Sequence, residues 1–144
     1  MSSSEKQPSL LILHGAVLLL LGLLSGLPAV AEELAGVQPT IWRAAHGALL
    51  LAGVWLLASG PALPFLVLPP ARKRVLCWSL VGTGYAFAAA VLIQAITGVR
   101  ALSPHGTLSS WIAYLANLAT VFTGLFAALL TLLGARAALR ERQG

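Results

Sequence analysis

A histidine lies within the first turns of the second long apolar run of this sequence, TIWRAAHGALLLAGVWLLAS, at position 46. A titratable group at the centre of a bilayer costs roughly 2.5–3.5 kcal/mol or more, so His46 needs a polar partner or a ligand. A neutral imidazole is a usual protein ligand of haem iron. Arg43, about one turn away and near the membrane interface, is able to pair with a haem propionate. The alternative is an interfacial histidine beside an aromatic-belt residue, Trp42.

The neighbours of His46 bear on the choice between an interfacial residue and a ligand. Trp42 precedes His46 by four residues, so both side chains share one face of a helix. Gly47 has no side chain and would let a flat ligand approach the backbone. In one interpretation Trp42 walls a haem pocket and Arg43 lies near a propionate; in the other, His46 is an interfacial residue beside Trp42.

The other two histidines are weaker candidates. His14 lies about one and a half turns into the first apolar run, where a hydrogen bond to a neighbouring helix is the expected role. His105 lies in a loop, SPHG, and is expected to be solvated. The predicted depths of His14 and His46 differ by well over ~10 Å, because a helix rises about 1.5 Å per residue. The two are therefore not expected to be axial ligands of one haem.

Polar groups elsewhere in the apolar runs offer few catalytic candidates. The runs contain no carboxylate, which disfavours a proton pump with an acidic relay and a carboxylate acid–base enzyme. Asn117 and Gln94 are costly to leave unpaired, and hydrogen bonds between helices are the default for both. The weak candidates for a substrate pocket are Tyr85 and Asn117. No catalytic residue is assigned.

The composition indicates an integral membrane protein. Of the 144 residues, 58% are hydrophobic and only 9% are charged, whereas soluble domains carry about 25% charged residues. Four apolar runs are each long enough to cross a bilayer, which takes about 20 residues; they cover about residues 10–30, 41–60, 75–96 and 108–133. We therefore expect one all-α domain over residues 1–144, a polytopic four-helix bundle. Pro61 and Pro64 predict that the second straight helix ends near Gly60 and continues as a short bent segment.

The basic residues predict the orientation in the membrane. Cytoplasmic N- and C-termini place seven of the nine basic residues inside, and only Arg43 and Arg100 outside. Glu32 and Glu33 then lie in the outer loop. Charge clustered at the ends of the runs indicates topology and no nucleic-acid partner. The lone Cys77 excludes an internal disulfide.

Two features leave alternatives open. The sequence LPAVAEEL resembles a signal-peptidase site, although the preceding run is longer than the usual ~7–15 residues and contains His14. Cleavage there would leave three spans. The small residues of GTGYAFAAA, together with Gly15, Gly22 and Gly26, favour close helix packing, within one bundle or in an oligomer.

Four features make the sequence resemble the styrene oxide isomerases, a family of small four-span bacterial membrane proteins. HGAVLLLLGLLSGL, from His14, is similar to the His-Gly start of that family's first helix with its later glycines. WRAAHG is similar to its second-helix signature, and Gly53 follows His46 by seven residues, as in the family. GYAFAA is similar in placement to its third helix. The resemblance covers roughly residues 10–135.

The resemblance implies a location in the bacterial inner membrane, a cofactor, an assembly and a reaction. Such isomerases bind haem b through one histidine of the second helix, which corresponds to His46, at the subunit interfaces of a trimer. Their ferric iron acts as a Lewis acid on an epoxide oxygen. The ring opens, a hydride shifts and an aldehyde forms, with no net redox change.

The sequence departs from the family at the expected substrate pocket. Ala52 stands where the family has Asn, Thr83 where it has Asp, and Val91 where it has Tyr. Arg43 precedes His46 by three residues instead of two. The haem-ligand position therefore matches better than the substrate pocket, and fold alone does not fix function.

The leading hypothesis is a haem-b membrane protein that rearranges a small apolar epoxide to an aldehyde or ketone. One alternative is a non-catalytic membrane haem protein. Another is a small structural or accessory membrane protein without a cofactor. Absorbance separates the last from the first two, and epoxide turnover separates the first two from each other.

Overall fold

Four long helices make up the chain in the computed structural model, which describes residues 3–38, 40–99, 102–104, 106–141 and 143. They are α1 (Ser3–Leu34), α2 (Thr40–Ala62), α3 (Pro70–Thr97) and α4 (Leu108–Glu141). Each is long and apolar enough to cross a membrane. The all-α four-helix fold predicted from the four apolar runs is confirmed.

The helices extend past the apolar runs that predict them. Bilayer thickness sets the length of an apolar run, but helical hydrogen bonding continues into polar sequence made of good helix formers. α1 therefore reaches Leu34, and α4 reaches Glu141. As a result Glu32 and Glu33 lie in the last turn of α1, and the expectation that they lie in a loop is wrong.

The end of α2 is bent, as its prolines predict. The helix ends at Ala62, and a single turn of 3₁₀ helix follows at Leu63–Phe65. The chain then runs to Pro69 and Pro70, which begin α3 and supply no N–H to the free first turn of that helix. The connection packs on α4, where the Val67 N–H donates to the Gly134 carbonyl at 3.2 Å.

Glycines bring α1 and α2 into backbone contact. A Cβ on Gly53 would lie 2.7 Å from the Leu19 backbone nitrogen, and one on Gly15 would lie 2.8 Å from the Leu57 nitrogen. At such distances no side chain larger than hydrogen fits between the two backbones. The predicted close packing through small residues is therefore present within a single bundle.

The helices form two closely packed pairs, α1 with α2 and α3 with α4, which meet mainly between α2 and α3. The core between them is apolar and includes Leu11, Leu18, Leu49, Leu56 and Leu76. Large apolar side chains also cover the outside, among them Leu51, 70% exposed, and Phe122, 68% exposed. An outer surface of this kind suits contact with lipid.

Candidate functional site

α1 holds the imidazole of His46 by one ring nitrogen. Nδ1 lies 2.7 Å from the carbonyl oxygen of Gly22. A carbonyl oxygen only accepts, so Nδ1 carries the proton and donates it. In the neutral ring, Nε2 then has the free lone pair. Histidines that ligate metals typically make this kind of hydrogen bond through the other nitrogen, which fixes the tautomer and the ring orientation.

Two glycines and a serine of α1 shape the seat of this ring. A Cβ on Gly26 would lie 2.9 Å from Nδ1 of His46 and 3.1 Å from its Cε1, so the ring occupies the space that a side chain would need. The Gly22 carbonyl also accepts a 2.7 Å hydrogen bond from the buried Ser25 hydroxyl. Sequence reasoning predicted that Gly22 and Gly26 allow close approach but missed that the approaching group is the imidazole. Their four-residue spacing gave no sign of which residue of α2 they face.

The remaining side of His46 is partly exposed. His46 is half-buried, and no described residue forms a hydrogen bond with its Nε2. A Cβ on the adjacent Gly47 would meet no atom within 4 Å. Trp42, one turn earlier, is half-buried. A fixed Nδ1–H tautomer and an Nε2 without a described partner would suit a haem held through His46.

Arg43 is ion-paired within the chain. Its Nη2 lies 2.6 Å from Oε2 of Glu33, and both side chains are about three-fifths exposed. Exposed pairs contribute roughly 0–1 kcal/mol, so this contact is easily exchanged for another carboxylate. The pairing places a cation at the Trp42 end of α2, and the predicted propionate contact of Arg43 stays a prediction.

His14 lies at a different level and has a different partner. Its Nδ1 is 3.0 Å from the Tyr85 hydroxyl, and the two rings meet edge to face with centroids 5.4 Å apart. His46 lies beside Gly22, eight residues after His14 on α1, which is a rise of about 12 Å. The expected hydrogen bond from His14 to a neighbouring helix is present, and so is the expected separation in depth.

An apolar groove of about 380 Å³ lies between α2, α3 and α4. Its walls are Leu51, Ala52, Trp55, Thr83, Gly84, Phe87 and Thr120. Two of these residues, Ala52 and Thr83, are positions where the resemblance expects Asn and Asp. Two of the three substituted positions thus lie at one groove, whose walls contain no charged group, whereas Val91 lines a different cleft.

The hydroxyl groups at the groove already donate their protons to other oxygens of the protein. Thr120 donates to the Ala116 carbonyl at 2.9 Å. Thr123 donates to the Ala119 carbonyl at 2.6 Å, which leaves its oxygen to accept from Thr83 at 2.8 Å. Thr83 has one proton, shared between this bond and the Ser79 carbonyl at 2.7 Å. The groove walls therefore supply shape and an apolar medium, with the Trp55 indole N–H as a remaining donor.

The groove and His46 lie on opposite sides of α2. At about 100° per residue, Leu51 and Trp55 are turned about 140° and 180° away from His46 around the helix axis. Within one chain, His46 faces α1 and the groove faces α3 and α4. One chain thus carries a candidate ligand on one face and a candidate apolar cavity on another.

The other predicted site residues have scattered positions. Tyr85 contacts His14 and is not a wall of the groove. Asn117 is half-buried on α4, three residues before Thr120. Gln94 donates to the Ala90 carbonyl of its own helix at 3.2 Å, where an interhelical bond was the default expectation. His105 lies outside the described residues.

Clustered metal ligands do not occur in the part of the chain that the structure describes. No three His, Cys, Asp or Glu side chains there are placed to hold one ion. Within that part of the chain, His46 Nε2 offers a single nitrogen ligand.

Comparison with protein families gives a match over most of the chain. The sequence model of a family described as styrene oxide isomerase matches residues 7–136. No curated protein and no solved structure shows a match. The matched range includes both histidines described above, the seat of His46 on α1 and all walls of the groove.

Proposed function

Because the chain belongs to the styrene oxide isomerase family, we propose that it binds haem b through His46 and rearranges a small apolar epoxide to an aldehyde or ketone. The observation that carries the proposal is the 2.7 Å hydrogen bond from His46 Nδ1 to the Gly22 carbonyl. It leaves Nε2 with its lone pair and holds the ring in one orientation. Bound there, ferric haem would supply a Lewis acid for the epoxide oxygen.

The residues of the chain have supporting roles in this proposal. The Gly22 carbonyl fixes the orientation of His46 and keeps the tautomer that can ligate. Gly26 makes room for the ring, and Trp42 walls one side of the pocket. Arg43 gives up its ion pair with the Glu33 carboxylate and binds a haem propionate instead. None of these residues has to transfer a proton, which suits an isomerisation without net gain or loss of protons.

The groove suits the substrate class. An apolar epoxide partitions into lipid, and exposed Leu51 and half-exposed Trp55 are at the lipid-facing edge of the groove. The committed hydroxyls of Thr83 and Thr120 do not attack or protonate a strained ring. An apolar, water-poor cavity therefore favours rearrangement over hydrolysis to a diol.

The opposite positions of His46 and the groove on α2 favour a shared site. We propose that a second copy of the chain lays its groove against His46, in a trimer or another ring. The haem would then lie between subunits, with its ligand from one chain and its apolar wall from the next. Native mass spectrometry in mild detergent should show an oligomer, and a monomer that carries full haem would refute the shared site.

Absorbance and turnover test the proposal. Protein purified in detergent should show a haem Soret band and convert styrene oxide or another small apolar epoxide to a carbonyl product, measured by gas chromatography. A Soret band without turnover of any epoxide would favour a non-catalytic haem protein instead. The presence of Ala52 and Thr83 where the family has Asn and Asp supports that alternative. Absence of haem in a folded protein supplied with haem would refute both.

Complementation tests whether the site is shared. Leu51→Trp should fill the groove from its exposed edge, and His46→Ala should remove the ligand, so each variant alone should be inactive. Co-expressed subunits should regain part of the activity if ligand and groove come from different chains. Lack of any recovery in mixed oligomers would contradict a shared site while leaving haem binding intact.

A further inference from the structure

A second, basic cleft opens between α1 and α3 at the end of the bundle opposite to Arg43. It has a volume of about 160 Å³ and is lined by Lys6, Gln7, Leu10, Arg74, Cys77 and Trp78. The two helices are linked there by the Cys77 thiol, which donates to the Gln7 carbonyl at 3.7 Å. The cleft is far from His46 along α1 and belongs to no part of the proposed haem site.

The charge of this cleft is not balanced within the described chain. Lys6 and Arg74 both line it, no acidic side chain that the structure describes does, and neither cation forms an ion pair with a described side chain. Arg72 and Lys73 add further positive charge at the start of α3. Cations drawn to one small cleft repel each other unless an anion lies between them.

The inner wall of the cleft is apolar. Leu10 and Trp78 line it below the two cations, and Trp78 is 56% exposed on the outside of the bundle. Tryptophan is enriched at the level of lipid headgroups. A cationic rim above an apolar, lipid-facing wall matches a molecule with a phosphate and an acyl chain, whereas a free phosphate would use the rim alone.

The size of the cleft agrees with a headgroup phosphate. The cleft has a volume of about 160 Å³, and a water molecule occupies about 30 Å³ of liquid. The cleft is therefore large enough for a phosphate with part of its glycerol but too small for a whole lipid. Basic pockets between transmembrane helices at the cytoplasmic side bind anionic headgroups in other proteins. The predicted topology, with Lys6 and Arg74 inside, places this cleft on that side.

We propose that the cleft between Lys6 and Arg74 binds the phosphate of an anionic phospholipid. The lipid ties the first turns of α1 to the start of α3, with its phosphate between the two cations and its first chain carbons along Leu10 and Trp78. Binding at this site is independent of haem and of any reaction at His46.

Native mass spectrometry of the full chain tests the proposal with phosphatidylglycerol and phosphatidylcholine as paired probes. The wild type should retain phosphatidylglycerol in preference, at one per chain. Lys6→Gln with Arg74→Gln should lower this preference about tenfold or more, since a hydrogen bond to a charged group contributes roughly that factor. Lys6→Arg with Arg74→Lys should restore it, which excludes loss of folding as the cause.

The matched control removes two charges from the same end of the bundle. Arg136 and Arg140 of α4 line a different cleft that contains Glu141. Arg136→Gln with Arg140→Gln should keep the preference, and an equal loss in both double variants would refute a defined site in favour of general surface attraction. Glycerol 3-phosphate, which lacks the chains, should not displace the lipid at millimolar concentration; if it does, the cleft is a site for soluble phosphates and the proposal is wrong.

Discussion

The two described histidines of this bundle differ in what the partner of Nδ1 can do. Both are half-buried and bonded across a helix interface. The partner of His46 is a carbonyl, which only accepts, so the ring is left with a free Nε2. The partner of His14 is the Tyr85 hydroxyl, which can donate or accept and so can satisfy either tautomer. A partner that only accepts, such as a carbonyl, fixes the tautomer of a histidine and leaves its other nitrogen able to ligate. A hydroxyl partner can also donate a proton, so it fixes no tautomer and the contact is a structural link between helices.

The two histidine sites also rest on different helix contacts. His46 depends on the backbone contact between α1 and α2, where Gly15, Gly22 and Gly53 leave no room for a side chain. His14 bridges α1 and α3, where a Cβ on Gly84 would meet the Cδ1 atom of Leu18 at 2.7 Å, the end of a flexible side chain. The seat of His46 is therefore rigid, and that of His14 can adjust.

The largest effect is expected from Gly53→Ala. Its Cβ would lie 2.7 Å from a backbone nitrogen of α1 and 2.9 Å from the Gly15 carbonyl, so the two helices must separate. Overpacking of this kind typically costs about 1–3 kcal/mol, and more where backbones cannot move. The melting temperature in detergent, followed by circular dichroism, should fall by many degrees, and haem should be lost. Gly82→Ala, which meets nothing within 4 Å, should melt at or above the wild-type temperature. An equal loss in both variants would contradict the account of the α1–α2 contact.

Gly26→Ala should affect the His46 site with less harm to the fold. The new Cβ would lie 2.9 Å from Nδ1 of His46 and push the ring away from the Gly22 carbonyl. Loss of such a supporting hydrogen bond typically lowers metal affinity 10–100-fold. Haem titration followed by absorbance should show a drop in this range. Unchanged affinity would mean that the Gly22 carbonyl does not prepare the ligand.

Tyr85→Phe tests the other histidine. It removes the hydroxyl that His14 contacts and keeps the edge-to-face ring packing. Hydrogen bonds between membrane helices average about 0.6 kcal/mol, so the melting temperature should fall only slightly and haem binding should stay as in the wild type. A loss of haem or of epoxide turnover in this variant would show that Tyr85 belongs to the functional site, as the sequence analysis predicted for a substrate pocket.

The smallest effect is expected from Arg43→Gln, compared with Glu33→Gln. If Arg43 holds a propionate, its removal should weaken haem retention a few-fold, whereas removal of Glu33 should leave retention unchanged or improve it by freeing the arginine. Competitive transfer of haem to apomyoglobin measures both. Equal and slight effects would mean that the two residues form only the exposed ion pair.

Sequence patterns predicted the fold well because lipid imposes a simple rule on it. Four apolar runs of sufficient length became four helices, and the prolines at the end of the second became the bend after Ala62. The true helix ends were missed because hydrophobicity marks the hydrocarbon layer, while α1 and α4 continue beyond it. Glu32 and Glu33 were misplaced for that reason.

The candidate site was predictable only in part. The position of His46 in an apolar run marked it, and the family resemblance named a role for it. The Gly22 carbonyl, the Gly26 seat and the hydrogen bond of His14 to Tyr85 depend on which helix faces meet, and one sequence does not specify those contacts. That Ala52 and Thr83 line one groove could likewise not be predicted, because it depends on how α2 packs against α3.

The absorption spectrum of His46→Ala, beside that of His14→Ala, tests the central claim most directly. Both variants should insert and fold. His46→Ala should lack the Soret band, and added imidazole should restore it by taking the vacated ligand position. His14→Ala should keep the band at wild-type intensity, about 12 Å away along α1. Full haem in His46→Ala together with its loss in His14→Ala would show that the ligand has been assigned to the wrong histidine.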